Sequence, residues 1–487
     1  MKSIIYSLLV LFVLASCGNN ENRSIQEDVA AFIDQHENVN QFGSIQIKSI
    51  LEKAEYKSIK NLGSTVSKEW ETIEKVLNMD SPIYFAMVTP EDIKKPYATF
   101  YAFAEVKNRK KIVGDIKKHG YAVKTGKEFD FYEGDEFALG INDRRVVFIA
   151  QMDLKDGKKQ VEAAFESLLE DCPENKVLEI LNTKADIVLG ADLEASMVGS
   201  AKMLKYDENQ IEKIQELSAD CYTEMQINFE KGQMVMDMKN YLSDEMKNEM
   251  PLEKDAKAIL DQIGYGEPTG GLLMNINMKK AQKFMDNYFP NLLDKFGELA
   301  GSEVQFGLAM LGKDGIAGYF SGKLGGLMYA KKNENSLMEP SFNFLVGLGK
   351  TAAPLADMYL SGVKEKMASI SKKGNTVVGF SSKENMKSAG KIKLPSSCAG
   401  FGKKPIGMFF KFKGINPNQF GMYNGTEVFN TLDYFYFEFG VDGGKAILKS
   451  NNANENILKT LVKATESEVE KQNSYYSSTD DFENSDF

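Results

Sequence analysis

Histidine is nearly absent from this 487-residue chain, which holds only His36 and His119. A serine or cysteine hydrolase that relies on an imidazole base therefore has almost no candidates. Tryptophan occurs once, at Trp70, and cysteine four times, at Cys17, Cys172, Cys221 and Cys398. The last three form an odd, scattered set, so the sequence carries no disulfide framework, and they are expected to be unbridged and mainly buried. Neither cysteines nor histidines pair at zinc-ligand spacing, and no EF-hand spacing is present, so no metal and no cofactor is expected. Past the first residues no stretch approaches the about 18 apolar residues of a membrane-spanning helix.

Nucleotide and acyl-enzyme motifs are missing too. Gly349-Lys350-Thr351 follows the strand-like Phe342-Asn343-Phe344-Leu345-Val346, but Phe344 stands where a phosphate loop needs glycine to let backbone amides wrap the phosphates. Gly318-Tyr319-Phe320-Ser321-Gly322 has glycine at the wrong offset for a nucleophile elbow. Ser361-Gly362-Val363-Lys364 has no Lys-Thr-Gly partner, since Lys350-Thr351 is followed by Ala352.

What is present begins with an address. A charged start at Lys2 precedes an apolar run from Ile4 to Val13, too short to span a bilayer but right for a signal core. Leu14-Ala15-Ser16-Cys17 then reads as a lipobox. Residues 1–16 are expected to be a lipoprotein signal peptide, with Cys17 acylated, palmitate included, and residues 17–43 serving as a lipidated tether. An ordinary secretory signal cleaved near Ser16 would leave Cys17 without a use. The expected location is the outer membrane, through the lipid on Cys17, with the periplasmic and cell-surface faces both open.

The formal charge is −10 and falls by one more unit once Lys2 leaves with the signal, a balance that speaks against nucleic acid as a partner. Arg109-Lys110-Lys111 with Lys117-Lys118 is expected to be a solvated helix face.

Two patterns recur along the body. A strand running into a helix is read at Ser44–Ala54, Asp186–Leu193, Gly271–Met278 and Ile406–Phe412. A hairpin with apolar strands and a polar or glycine-rich tip is read at Phe137–Ile149, Ile227–Met236, Lys373–Phe380 and Phe437–Leu448. Each entry precedes one hairpin, and the spacing alternates long and short, the sign of a duplicated pair. Half one would run from 44 to 262 and half two from 267 to 470, joined at the glycine-rich Gly264–Gly271, with 474–487 a disordered acidic tail. The expected fold is α+β: two related domains with antiparallel sheets and helices packed on one face, from internal duplication. Aligning Glu230-Lys231-Gly232 with Asp442-Gly443-Gly444 sets Ile227 on Phe439 and Met234 on Ala446.

Helical stripes Val66, Trp70, Ile73, Leu77 and Val161, Ala164, Phe165, Leu168, Leu169 mark core faces, so Trp70 is expected to pack in the core rather than stack on a ligand. Asp130, Glu133, Asp135 and Glu136 cluster before the first hairpin and would suit calcium or a glycosidase pair, but read more simply as a solvated loop. Met234, Met236 and Met238 share a strand face near Met225 and Met246; gap-filling between sheet and helices is the expectation, an apolar binding face the alternative.

The lipobox, the opening Ile45-Gln46-Ile47-Lys48-Ser49-Ile50-Leu51-Glu52-Lys53-Ala54 and the Asp186–Leu193 entry resemble the Bacteroidetes lipoproteins known as the domain of unknown function 4836 family. The resemblance implies a cell-envelope lipoprotein and brings no catalytic residues. The expected role is thus a non-catalytic binding or assembly scaffold, with a protein, peptide or glycan partner at the seam between the halves. The alternatives are a carboxylate- or metal-dependent hydrolase of envelope or dietary polymers, and a carrier of an apolar ligand.

Overall fold

The computed structural model describes residues 23–59, 63–90, 98–292, 295, 315–330, 340–364, 367–383, 391–413 and 426–483. Helices and antiparallel sheet are both extensive, so the chain is α+β. It divides into two compact units, residues 1–46 with 71–184 and residues 47–70 with 185–487, a division that falls elsewhere than the one into halves. Cys17 lies outside the described residues.

The first unit carries strands β1 (Val39–Ile45), β2 (Ile83–Val88), β3 (Thr99–Glu105), β4 (Asp130–Glu133), β5 (Phe137–Ile141) and β6 (Arg145–Ala150). They pair antiparallel in the order β1-β2-β3-β6-β5-β4. Register places Phe42, Ala86, Tyr101, Ile149 and Ala138 in one cross-strand row, and every member is buried. A second row on the same face holds Ser44, Tyr84, Phe103, Val147, Gly140 and Phe131. Helices cover these rows. The Ile25–Asp34 helix, opened by a Ser24/Glu27 capping box, lays Phe32 over Tyr101 and Phe103 with ring centroids 4.9 Å apart in each case. The Gly157–Ser167 helix sits so close to β5 that a Cβ at Gly140 would lie 2.3 Å from Val161.

Several expectations change here. The stretch read as a tether is part of this unit from Ser24 onward, because Val29, Phe32 and Phe42 have apolar rows to bury against. Arg109 is no solvated lysine-like surface residue, since its Nε donates to Asp130 at 2.8 Å. Leu169 lies beyond the end of its helix and is 59% exposed, whereas Val161, Ala164 and Leu168 are buried. Leu77 likewise falls past the Gly63–Glu74 helix and forms an isolated bridge with Val106. Trp70 is buried, as its stripe position predicts.

The second unit holds β7 (Ile187–Asp192), β8 (Tyr222–Glu230), β9 (Gln233–Tyr241), β10 (Tyr265–Gly266), β11 (Gly270–Asn275), β12 (Phe320–Ala330), β13 (Pro340–Leu348), β14 (Ser369–Lys373), β15 (Thr376–Phe380), β16 (Lys391–Ile392), β17 (Ile406–Lys411), β18 (Leu432–Gly440) and β19 (Gly443–Ser450). β10 and β16 form a short parallel pair. The others make an antiparallel sheet in the order β7-β8-β9-β19-β18-β17-β11-β12-β13-β15-β14. All four expected hairpins are present, as β5–β6, β8–β9, β14–β15 and β18–β19.

The boundary near 262–267 does not separate two sheets. β9 from half one pairs directly with β19 from half two, Met236 opposite Ala446 and Met234 opposite Leu448. The hairpin alignment also shifts by two residues. Closing pairs Glu230–Gln233 and Gly440–Gly443 make Phe437, not Phe439, the counterpart of Ile227. A two-residue shift keeps each side chain on its face, so the phase of the pattern survives.

One face of this sheet is core. Asn343, Leu327, Gly271, Phe409, Tyr436, Ile447 and Val235 lie in one row, against Ile259 and Ile263 of the Lys257–Ile263 helix and against Phe401. Gly271 has to be glycine, for a Cβ there would meet Phe409, Leu327 and Phe401 at 2.6 to 2.9 Å. Helices are not confined to this face: Phe429 of the Thr426–Thr431 helix packs edge-on to Phe412, 5.0 Å away, and Phe412 in turn abuts Phe410 of the other face. At the C-terminal end the Ile457–Glu483 helix includes residues 474–483, which the sequence placed in an unstructured tail. Residues 484–487 lie outside the described residues.

Candidate functional site

Strand alternation puts a second apolar set on the opposite face of the second unit's sheet. Register aligns Phe344, Gly326, Leu272, Met408, Phe437, Ala446, Met236, Ile227 and Ile187 in one row across nine strands. A flanking row includes Phe342, Met328, Gly270, Phe410 and Phe435. Whereas the core face is sealed, this one is not. Leu272, Met408 and Phe342 remain 41%, 38% and 45% exposed, and a Cβ built on Gly326 would have no described atom within 4 Å. The result is an apolar patch with a hollow over Gly326, whose cross-strand neighbours are Leu272 and Phe344. Phe342 and Phe344 stack with centroids 6.4 Å apart, as do Phe437 and Phe439 at 6.5 Å.

The methionine stripe belongs to this face. Met234, Met236 and Met238 are half-buried on β9, with Met225 of β8 opposite Met238. They point away from the core row that holds Val235 and Ile447. Met246 is elsewhere, buried with Leu217 and Cys221. The seam between the halves and the stripe coincide, because β9 and β19 are adjacent.

On the core side the seam is polar rather than catalytic in form. Tyr241 Oη donates to Glu224 Oε2 at 2.5 Å, and Tyr436 Oη donates to Glu438 Oε2 at 2.5 Å. Burial, then the Glu438 bond and charge, push the Tyr436 phenol above its ordinary range.

The carboxylates before the first hairpin do not converge on a site. Asp130 is buried against Arg109, Glu133 Oε1 accepts from Gly157 N at 3.1 Å, and Asp135 and Glu136 are exposed in the β4–β5 turn. Among the described residues no group of three or more His, Cys, Asp or Glu is placed to hold a metal ion. His36 Nδ1 lies 2.7 Å from Phe32 O and His119 Nδ1 lies 2.8 Å from Asp115 O, each on its own helix. Cys172, Cys221 and Cys398 are unbridged, the first half-buried and the others buried. Gly318–Gly322 is a helix-to-strand step, the reverse of a nucleophile elbow, and Ser361-Gly362-Val363 lies within the Ala352–Val363 helix. Gly349-Lys350-Thr351 joins β13 to that helix, at the rim of a polar cleft.

The exposed patch around Gly326 was not legible in the sequence. Its one trace is the pair Gly325-Gly326 inside a strand, a place where backbone lies open or close to a neighbour.

No family model matches the chain, and no curated protein matches it. Among solved structures, crystal form I of TP0453 is similar over 46% of this chain and 80% of that one, at 8% identity and a TM-score of 0.28. A likeness of that size says nothing of activity. Among the described residues no helix is long and apolar enough to cross a membrane.

Proposed function

We propose that this chain is a non-catalytic binding or assembly scaffold of the cell envelope, held to the outer membrane by lipid on Cys17. It would belong with the Bacteroidetes lipoproteins of the domain of unknown function 4836 family, on the resemblance already given. The observation that carries the binding role is the exposed patch of Leu272, Met408 and Phe342 beside the open floor at Gly326. Contiguous apolar surface of this kind on a folded domain marks an interaction site. Methionines along the adjoining seam add side chains that adapt to irregular apolar partners.

Internal duplication is part of the same proposal. Strand order β1-β2-β3-β6-β5 in the first unit matches β11-β12-β13-β15-β14 in the second by connectivity. With the corrected hairpin alignment Met236 is the counterpart of Ala446, and these two residues face each other. A two-fold relation between the halves would run through that pair.

The hollow over Gly326 favours a second reading, a carrier of an apolar ligand. An anilinonaphthalene dye tests both. Wild-type protein is expected to bind the dye and enhance its fluorescence, and Met408→Glu and Gly326→Leu to lose most of that signal. Displacement of the dye by a fatty acid selects the carrier, and dye retained against fatty acid selects the partner surface. Unchanged fluorescence in both variants would remove the patch from consideration.

A further inference from the structure

A cleft of about 920 Å³ lies wholly within the second unit, between the Met278–Tyr288 helix, the start of β12 and the end of β13. That is near the top of the range, about 300–1,000 Å³, of small-molecule sites. Its charged lining is Lys279, Lys283, Lys323 and Lys350 against Glu253 and Asp286. Four cations less two anions leave +2, in a chain whose formal charge is −10.

Not all of these charges are occupied. Lys283 lies 4.0 Å from Glu249, and Asp286 accepts from Gln282 Nε2 at 2.8 Å. The ammonium groups of Lys279, Lys323 and Lys350 make no hydrogen bond or ion pair with any described residue, and each side chain is exposed. Ammonium groups of one sign around a concavity focus the field there and raise the local concentration of anions. The opposite sign over the rest of the molecule makes the cleft a selective place for them.

The uncharged lining says what else the ligand carries. Asn275, Asn277, Asn375, Gln282 and Ser321 contribute amides and a hydroxyl, groups that pair with sugar hydroxyls in both directions. Asn275 is set in the wall of the cleft, its Nδ2 donating to Asp255 O at 2.6 Å and its Oδ1 buried with no donor among the described residues. No aromatic side chain lines the cleft among the described residues, so a flat apolar ligand or a neutral sugar would lack a stacking surface. The floor is fixed by close backbone approach. A Cβ on Gly349 would lie 2.2 Å from Gly318 O, and one on Gly347 would lie 2.0 Å from Ser321 Oγ.

We propose that this cleft binds an acidic saccharide, an anion that also carries hydroxyl groups, through Lys279, Lys323 and Lys350 with Asn277 and Asn375. The site is separate from the apolar patch, so the proposal stands or falls independently of it. The negative charge can come from a uronic acid or from a sugar phosphate, and calorimetry on the full chain separates the two.

Trigalacturonate, galactose phosphate and uncharged galactotriose are titrated in turn, at low and at high salt. Binding of trigalacturonate or of the sugar phosphate, weakened by salt and absent for galactotriose, is the expected result, and the tighter of the two identifies the source of the charge. Lys323→Glu and Lys350→Glu are each expected to weaken it at least about ten-fold, with Lys350→Arg close to wild type. Both lysines are exposed and their ammonium groups have no partner among the described residues, so melting temperature should hold in all three variants. Equal binding of galactotriose, no binding of either anion at millimolar concentration, or charge-reversed variants that bind as wild type would overturn the proposal.

Discussion

Asp186 is 3% exposed, and its carboxylate accepts from Lys53 Nζ at 2.6 Å to each oxygen, from Ser49 Oγ at 2.8 Å and from Phe229 N at 2.7 Å. It therefore ties the helix Ile47–Ala54 to the start of β7 and to the end of β8. Removing one partner of a buried pair strands the other groups without a counter-charge. Asp186→Ala is expected to lower unfolding free energy by about 3 kcal/mol, read from the shift of the urea midpoint. A midpoint within error of wild type would show that solvent already screens the pair through the half-exposed lysine. The two stretches that carry the family resemblance, Ile45–Ala54 and Asp186–Leu193, thus meet at one carboxylate. Spacing along the chain could mark each stretch but not their meeting, because 133 residues separate Lys53 from Asp186. The same holds for Asp130, whose neighbour Arg109 lies 21 residues away and which reads in sequence as one more loop acid.

At the scale of elements, strands and hairpins were readable wherever turn chemistry was explicit: Lys231-Gly232, Lys373-Gly374 and Asp442-Gly443 all fall at or beside real turns. Which face is core was not readable. β18 runs Tyr434-Phe435-Tyr436-Phe437, so both phases are aromatic, and only register shows that Tyr434 and Tyr436 join the core packed on the Lys257–Ile263 helix while Phe435 and Phe437 take the other face. Coverage by helices has a measurable consequence. Tyr84 of β2 and Tyr329 of β12 lie in covered rows, and burial above all raises each phenol from 10.0 to about 12. For Tyr84 the charge of Glu105 adds to this. A raised phenol favours the folded state while it stays neutral. Its contribution is complete below pH 10.0, where the unfolded phenol begins to ionise, and is lost as pH climbs through about 12. Phenolate absorbance of the native protein should therefore show a late-titrating component, diminished in Tyr84→Phe, and denaturant midpoints should fall over that same alkaline window. A native titration complete near pH 10 would mean that the helices do not seal these rows.

At the scale of the whole molecule, the address and the body are legible by different means. Leu14-Ala15-Ser16-Cys17 is read from sequence alone, and Cys17→Ala is expected to move the protein from the membrane fraction to the soluble one, detected by fractionation and loss of an acylated mass. Intact acylated protein persisting at the membrane in that variant would refute the lipobox. The body's order of elements, entry then hairpin, was visible in the sequence, but its division into compact units was not, because strand pairing joins segments far apart in sequence. The pairing of Met236 with Ala446 carries a consequence about history. Were the chain halved near residue 264, β9 and β19 would each become an open edge, the most adhesive part of a sheet. Because the pairing is reciprocal about Met236 and Ala446, with Met234 opposite Leu448 and Met238 opposite Gly444, a half-length chain would find in a second copy of itself the neighbour it had lost. On the duplication reading, the β9–β19 seam is the inherited interface of a homodimer, made permanent when the two genes became one.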